Sequence, residues 1–290
     1  MPVKHSRNQR KVIISLLLML ILAGCAVVKN LAKIQKPKVV VAKVRFTGMN
    51  FDKVDLAFDV KIENPNQLSV KLDAFDYDLQ INGASFLTGK QDAQLQILAE
   101  QTSYLKIPIS LKFKELYRTF QSLQNQDSSR YQLKGNLYFN LPILGKTAIP
   151  VSKTGWLPMV KLPRFKSPSL KIVRLGLTGA DVALNLTVEN PNAFSLLLDK
   201  LDYNFSVNGT DWAGGVTSKP LRIAEKGRGA ISIPISLNFL QIGQGVMQLL
   251  SGGGQATYNF TGKVDLHTSL PIIGSVQLPI HKSGQLRIAR

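Results

Sequence analysis

Cysteine is almost missing from this chain of 290 residues; Cys25 is the only one. No intramolecular disulfide can form, so stability must come from core packing. Histidine is nearly as scarce, and beyond the amino terminus only His267 and His281 remain. Their spacing, with no cysteine nearby, does not fit a zinc pair, and both read as solvated or packing residues. Acidic residues number 18 against 36 lysines and arginines, a net charge of +18. A phosphate-cradling loop is missing as well. Gly252-Gly253-Gly254 is not followed by the Lys-Ser/Thr such a loop needs, and it reads as an extended loop. Ser110 and Ser236 have no histidine at a matching position to activate them. Glu63 and Glu189 stand on the polar phase of their strands before turns, where a cap or a surface salt bridge accounts for them better than paired-acid catalysis. No catalytic residue, cofactor site or metal site is expected.

What the chain does have, it has twice. Ile62-Glu63-Asn64-Pro65-Asn66 returns 126 residues later as Val188-Glu189-Asn190-Pro191-Asn192. Asp73, Asp76, Tyr77, Asn82 and Gly83 return as Asp199, Asp202, Tyr203, Asn208 and Gly209. Ile107-Pro108-Ile109-Ser110-Leu111 returns as Ile233-Pro234-Ile235-Ser236-Leu237. A period this long means two whole domains, not a solenoid. The recurring residues are those of turns and cores, which points away from an enzyme.

The amino terminus reads as an export signal. Lys4, His5, Arg7, Arg10 and Lys11 precede an apolar run from Val12 to Leu22. The run is shorter than the roughly 20 residues a spanning helix needs, and it suits the core of a secretory signal. Leu22-Ala23-Gly24-Cys25 resembles a bacterial lipobox, with cleavage between Gly24 and Cys25 and lipid attachment at Cys25. Ala26, where an aspartate would signal inner-membrane retention, fits an outer-membrane lipoprotein facing the periplasm. The expected parts are a signal peptide over 1–24, a basic tether over 25–38, a first domain over 39–156, a proline-rich linker over 157–168 and a second domain over 169–290.

Charge is unevenly spread among these parts. The tether carries Lys29, Lys33, Lys36, Lys38 and Lys43 close by, with no acid among residues 25–44. Lys161, Arg164 and Lys166 crowd the linker. The domains themselves are closer to neutral. That pattern favours an anionic membrane surface as partner, reached through acylated Cys25 and the tether. Nucleic acid is not expected, because it calls for a basic domain face with stacking aromatics.

Val54, Leu56, Phe58, Val60 and Ile62 alternate with polar residues or alanine, the mark of a strand with one buried face. Asn64-Pro65-Asn66 ends that strand, and the motif is expected to be structural, setting the register of the next. Asn82-Gly83 and Asn208-Gly209 read as hairpin turns. Phe113, Leu116, Phe120 and Leu123, with Phe239, Ile242, Val246 and Leu249, recur at helical spacing and predict one short amphipathic helix per copy. The fold class is mainly β: two tandem antiparallel sandwiches of the immunoglobulin or fibronectin III kind.

The order Asn-Pro-Asn, an Asp- and Tyr-bearing strand, Asn-Gly and an Ile-Pro-Ile strand resembles the late-embryogenesis-abundant type 2 domain, also called the WHy domain. The resemblance covers about residues 40–155 and 168–290. It implies a sandwich with one helix, a role in tolerance of desiccation and other stress, and no catalytic residues. Two functions follow as expectations. One is a non-enzymatic, lipid-anchored envelope module that binds or shields a protein or lipid client. The other is an accessory that carries a hydrophobe between its sheets.

Overall fold

The computed structural model describes residues 34–243, 245–253 and 256–289. The segment holding Gly24 and Cys25, and with it the expected signal and lipid site, lies outside the described residues.

The first repeat runs through β1 (Lys38–Met49), β2 (Lys53–Glu63), β3 (Val70–Ile81), β4 (Ala84–Ile97), β5 (Thr102–Lys112), β6 (Ser128–Leu141) and β7 (Gly145–Pro158). They form a three-stranded sheet, β1-β2-β5, and a four-stranded sheet, β4-β3-β6-β7. The second repeat uses β8 (Arg164–Phe165), β9 (Ser169–Leu175), β10 (Gly179–Glu189), β11 (Leu196–Val207), β12 (Thr210–Thr217), β13 (Leu221–Ile223), β14 (Arg228–Asn238), β15 (Thr257–Thr268), β16 (Val276–Gln285) and β17 (Arg287–Ala289). Its sheets are β14-β10-β9-β17, with β8 also on β10, and β12-β11-β15-β16, with β13 also on β11. Each repeat is a β-sandwich, and the chain is mainly β. By compactness the chain divides differently from its repeats. Among the described residues, Leu56–Ile109 and Ser129–Leu157 belong to a first unit with residues 34–45, whereas Phe46–Asp55 and Ser110–Ser128 belong to a second with those from Pro158 onward.

The alternation in β2 has the expected effect: Val54, Leu56, Phe58, Val60 and Ile62 are all buried. In β3 the buried set changes phase, from Val70 and Leu72 to Phe75, Leu79 and Ile81. The cause is a register shift between Leu72 and Ala74, which leaves Asp73 as the extra residue. The same shift falls between Leu198 and Lys200, at Asp199. The recurring aspartates therefore mark a bulge that resets which face is inward. Proline within β5 and β14 is tolerated because both lie at sheet edges, where a missing N–H breaks no ladder. The Asn-Gly turns have positive φ at both residues, 49° and 85° in the first and 47° and 82° in the second, as a two-residue hairpin requires.

The amphipathic helix is present but interrupted in each copy. α1 (Phe113–Thr119) stops at Phe120, whose φ of −125° and ψ of 83° leave helical space, and a 3-10 turn over Gln121–Asn125 follows. In the second copy α2 (Phe239–Ile242) starts on an Asn238 cap and ends at Gly243, with φ of 96°. α3 (Gly245–Gln248) and a π-helical turn over Leu249–Gly253 complete it. The expected apolar side is inward, since Phe113, Leu116, Leu123, Phe239, Val246 and Leu249 are buried.

Candidate functional site

Among the described residues six polar side chains are buried, and four of them are Asn64, Asn66, Asn190 and Asn192. Burying an amide is costly unless its donors and acceptors are met, so the partners show what the motif does. Asn64 Nδ2 donates to the carbonyls of Leu68 at 2.9 Å and Leu98 at 3.0 Å, joining the two loops around it. Its Oδ1 accepts from the Asn66 backbone N–H at 3.1 Å and from Asn66 Nδ2 at 2.9 Å. Asn66 then clasps the backbone ahead of β1: its Oδ1 accepts from Gln35 N at 2.8 Å and its Nδ2 donates to Gln35 O at 2.9 Å.

The second copy repeats these bonds at the 126-residue offset. Asn190 Nδ2 reaches the Phe194 carbonyl at 2.6 Å and the Ala224 carbonyl at 3.0 Å. Asn190 Oδ1 accepts from Asn192 N at 3.0 Å. Asn192 clasps Lys161, accepting from its N–H at 2.8 Å and donating to its carbonyl at 2.8 Å. Pro65 and Pro191 stand between the paired amides, where a fixed φ and a missing donor suit the turn. The asparagine side chains are thus committed to each other and to backbone groups of the chain before and after the motif. The tether and linker, read from sequence as spacers, include residues held in this way: Gln35 and Lys161 are pinned, and Pro37, Met159, Val160 and Pro163 are buried.

Ionic clusters lie elsewhere. In the first unit the Asp76 carboxylate accepts from Asn136 N at 2.8 Å and from the Tyr138 hydroxyl at 2.5 Å. Burial raises its pKa, but these donors outweigh that and hold it below the ordinary carboxylate value. In the second unit Asp127 meets Lys226 and Lys161, and the Lys226 contact is the main cause of its depressed pKa. Glu189 lies between Lys166 at 3.1 Å and Arg228 at 2.9 Å, which hold it low. Glu63 pairs with Lys61. Both recurring glutamates are therefore in salt bridges. Ser236 donates to Asp181 at 2.8 Å, and Ser110 is likewise bonded to Asp55, so the recurring serines serve cross-strand pairs. His267 pairs with Asp199 at 2.8 Å, and His281 is exposed.

Depressed carboxylates set a pH dependence. Such a group adds stability that is fully present above its unfolded value, about 4, and lost as pH falls through its folded value. Asp55, Asp76, Asp127, Asp181 and Glu189 all shift this way. The melting temperature is expected to hold from neutral pH to about pH 5 and to fall progressively below about pH 4. Thermal melts followed by circular dichroism check this. Added salt should shrink only the part of the drop due to Asp127 and Glu189, whose main partners are charged lysines.

The family of late embryogenesis abundant proteins matches residues 59–155 and 185–284, one stretch in each repeat. The chain belongs to the late embryogenesis abundant type 2 family. A probable desiccation-related protein of Arabidopsis thaliana is 26% identical over 140 residues, 48% of this chain and 91% of its own. The late embryogenesis abundant protein Lea14-A of Gossypium hirsutum is 26% identical over 137 residues, 47% of this chain and 89% of its own. Among solved structures, the solution structure of a late embryogenesis abundant protein is 27% identical and covers 53% of this chain and 88% of its own, with a TM-score of 0.37. Each curated relative thus corresponds to about half of this chain, while the type 2 domain occurs in it twice. Type 2 proteins are not known as enzymes.

Sequence reasoning located the Asn-Pro-Asn motifs but missed their long-range partners. Gln35 and Lys161 occupy equivalent places in the two repeats, yet the clasp uses only their backbones, so nothing in their side chains marks them.

Proposed function

We propose that this protein is a non-enzymatic, lipid-anchored component of a bacterial envelope, whose paired type 2 domains protect a client under desiccation or related stress. The desiccation-related names of its relatives support the stress role. The observation that carries the non-catalytic part is the fate of the recurring residues. Paired asparagines, the bulge aspartates, the Asn-Gly turns and the Ser–Asp pairs are all engaged in holding the sandwich. The lipobox around Cys25 supports attachment to the outer membrane on its periplasmic face, with the tether lysines against anionic head groups. Carriage of a hydrophobe between the sheets is the weaker reading, because Phe58, Phe139, Phe205 and Phe260 fill that space as fully buried side chains.

The test is expression of the full chain in a bacterium, with envelope fractionation and counting of survivors after drying. The native chain should fractionate with the outer membrane and raise survival. Cys25→Ser should leave an unprocessed precursor or a soluble protein. Fully processed, membrane-bound Cys25→Ser protein would overturn the anchor, and unchanged survival with the native chain would overturn the protective role.

A further inference from the structure

Five cations of the second unit line two adjoining surface depressions that share Arg164. One depression is bordered by Lys226 and Arg228 beside Glu189. The other, with a volume of about 560 Å³, is bordered by Lys166 and Lys282 beside His281. Glu189 holds Lys166 and Arg228 on its two oxygens, at 3.1 and 2.9 Å. Asp127 holds Lys226 together with Lys161. Each carboxylate thus neutralises one charge while fixing two cations in place. Arg164 and Lys282 form no salt bridge among the described residues. The cluster has six cations against two carboxylates, an excess of four.

The duplication provides an internal control. At the 126-residue offset, Lys166, Lys226 and Arg228 correspond to Val40, Glu100 and Thr102. The alignment is fixed by backbone geometry, since Glu100 N bonds Asn66 O at 2.9 Å and Lys226 N bonds Asn192 O at 3.0 Å. The first copy builds the same sandwich without these three cations, so the fold does not require them. Arg164 corresponds to Lys38, and Lys282, at the later offset of 129, to Lys153. The second copy alone therefore concentrates positive charge around a concave surface.

We infer that this patch of the second copy binds a phosphate-bearing anion. Cations held close together, two of them arginines able to donate in forked pairs, suit a multiply charged oxyanion better than a single carboxylate. The inference needs no lipid anchor and stands apart from the proposed stress role. The phosphate can be free or can belong to a lipid head group, and the two sources are separable by experiment.

Titration calorimetry on the full chain in non-ionic detergent provides the test. The probes are pyrophosphate, and short-chain phosphatidylglycerol against phosphatidylcholine below their micelle concentrations. Binding of pyrophosphate, or preference for phosphatidylglycerol, is expected, weakening as salt is raised. Arg164→Ser with Lys282→Ser breaks no salt bridge and should weaken binding at least about tenfold. Lys226→Glu with Arg228→Thr, which installs the first-copy residues, should do the same. Lys153→Ser, the first-copy counterpart of Lys282→Ser, should have no effect. Pyrophosphate binding alone identifies free phosphate as the source, and phosphatidylglycerol preference alone identifies the head group. Absence of both, or equal loss in the first-copy variant, would overturn the inference, with circular dichroism confirming that each variant is folded.

Discussion

Alanine at both Asn190 and Asn192 is expected to destabilise the protein by about 3–5 kcal/mol, several buried groups losing partners at ~1–3 kcal/mol each. Asn190 is 2% exposed and Asn192 0%. Water therefore cannot replace the lost bonds without opening the structure. The double change strands the Phe194 and Ala224 carbonyls and both backbone groups of Lys161. Asn192→Ala alone should cost less, because the Asn190 bonds to Phe194 and Ala224 remain. Denaturant melts of the double and single variants give the comparison. An unchanged midpoint with loss of stress protection would move the motif from scaffold to recognition surface.

The second large effect is expected at Gly135 and Gly262, which recur near the middle of β6 and β15. A Cβ on Gly135 would lie 2.3 Å from the Asp76 carbonyl oxygen, and one on Gly262 would lie 2.5 Å from that of Asp202. The obstacle in each case is backbone of the neighbouring strand, which cannot swing aside as a side chain can. Gly135→Ala and Gly262→Ala should each cost roughly 1–3 kcal/mol by forcing strands apart. Gly274 has nothing within 4 Å of its added Cβ, so Gly274→Ala is the control and should change little. Equal midpoints for all three variants would refute the steric argument.

Much of the fold could be read from residues alone because its signals are local. The β2 alternation, the Asn-Gly turns and the helical spacing of Phe113, Leu116 and Leu123 each follow from a few neighbouring residues. What escaped depends on residues far apart. The phase change in β3 comes from a bulge at Asp73, and one aspartate among many does not announce one. The break at Phe120 follows no glycine or proline, so periodicity carried the expected helix through it. The parallel pairing of β17 with β9 joins Arg287 to Ser169, across most of the second repeat. At the site level the asparagines were visible as a motif, but their expected task was the register of the following strand. Their clasp on Gln35 and Lys161, 31 residues upstream in each copy, could not be read from the motif. The cation cluster was visible only as linker charge, because Lys226, Arg228 and Lys282 come to it from distant parts of the second repeat.

The clasp at Gln35 also has a mechanical meaning. A pull on the chain ahead of residue 35 reaches the Asn66 side chain before it reaches β1. The load then passes through paired hydrogen bonds, 2.8 and 2.9 Å long, into a buried turn that is itself bonded to two loops. Tension arriving there is spread over the pole of the sandwich, and β1 is spared being peeled from β2 one hydrogen bond at a time. Lys161 and Asn192 give the second copy the same strain relief.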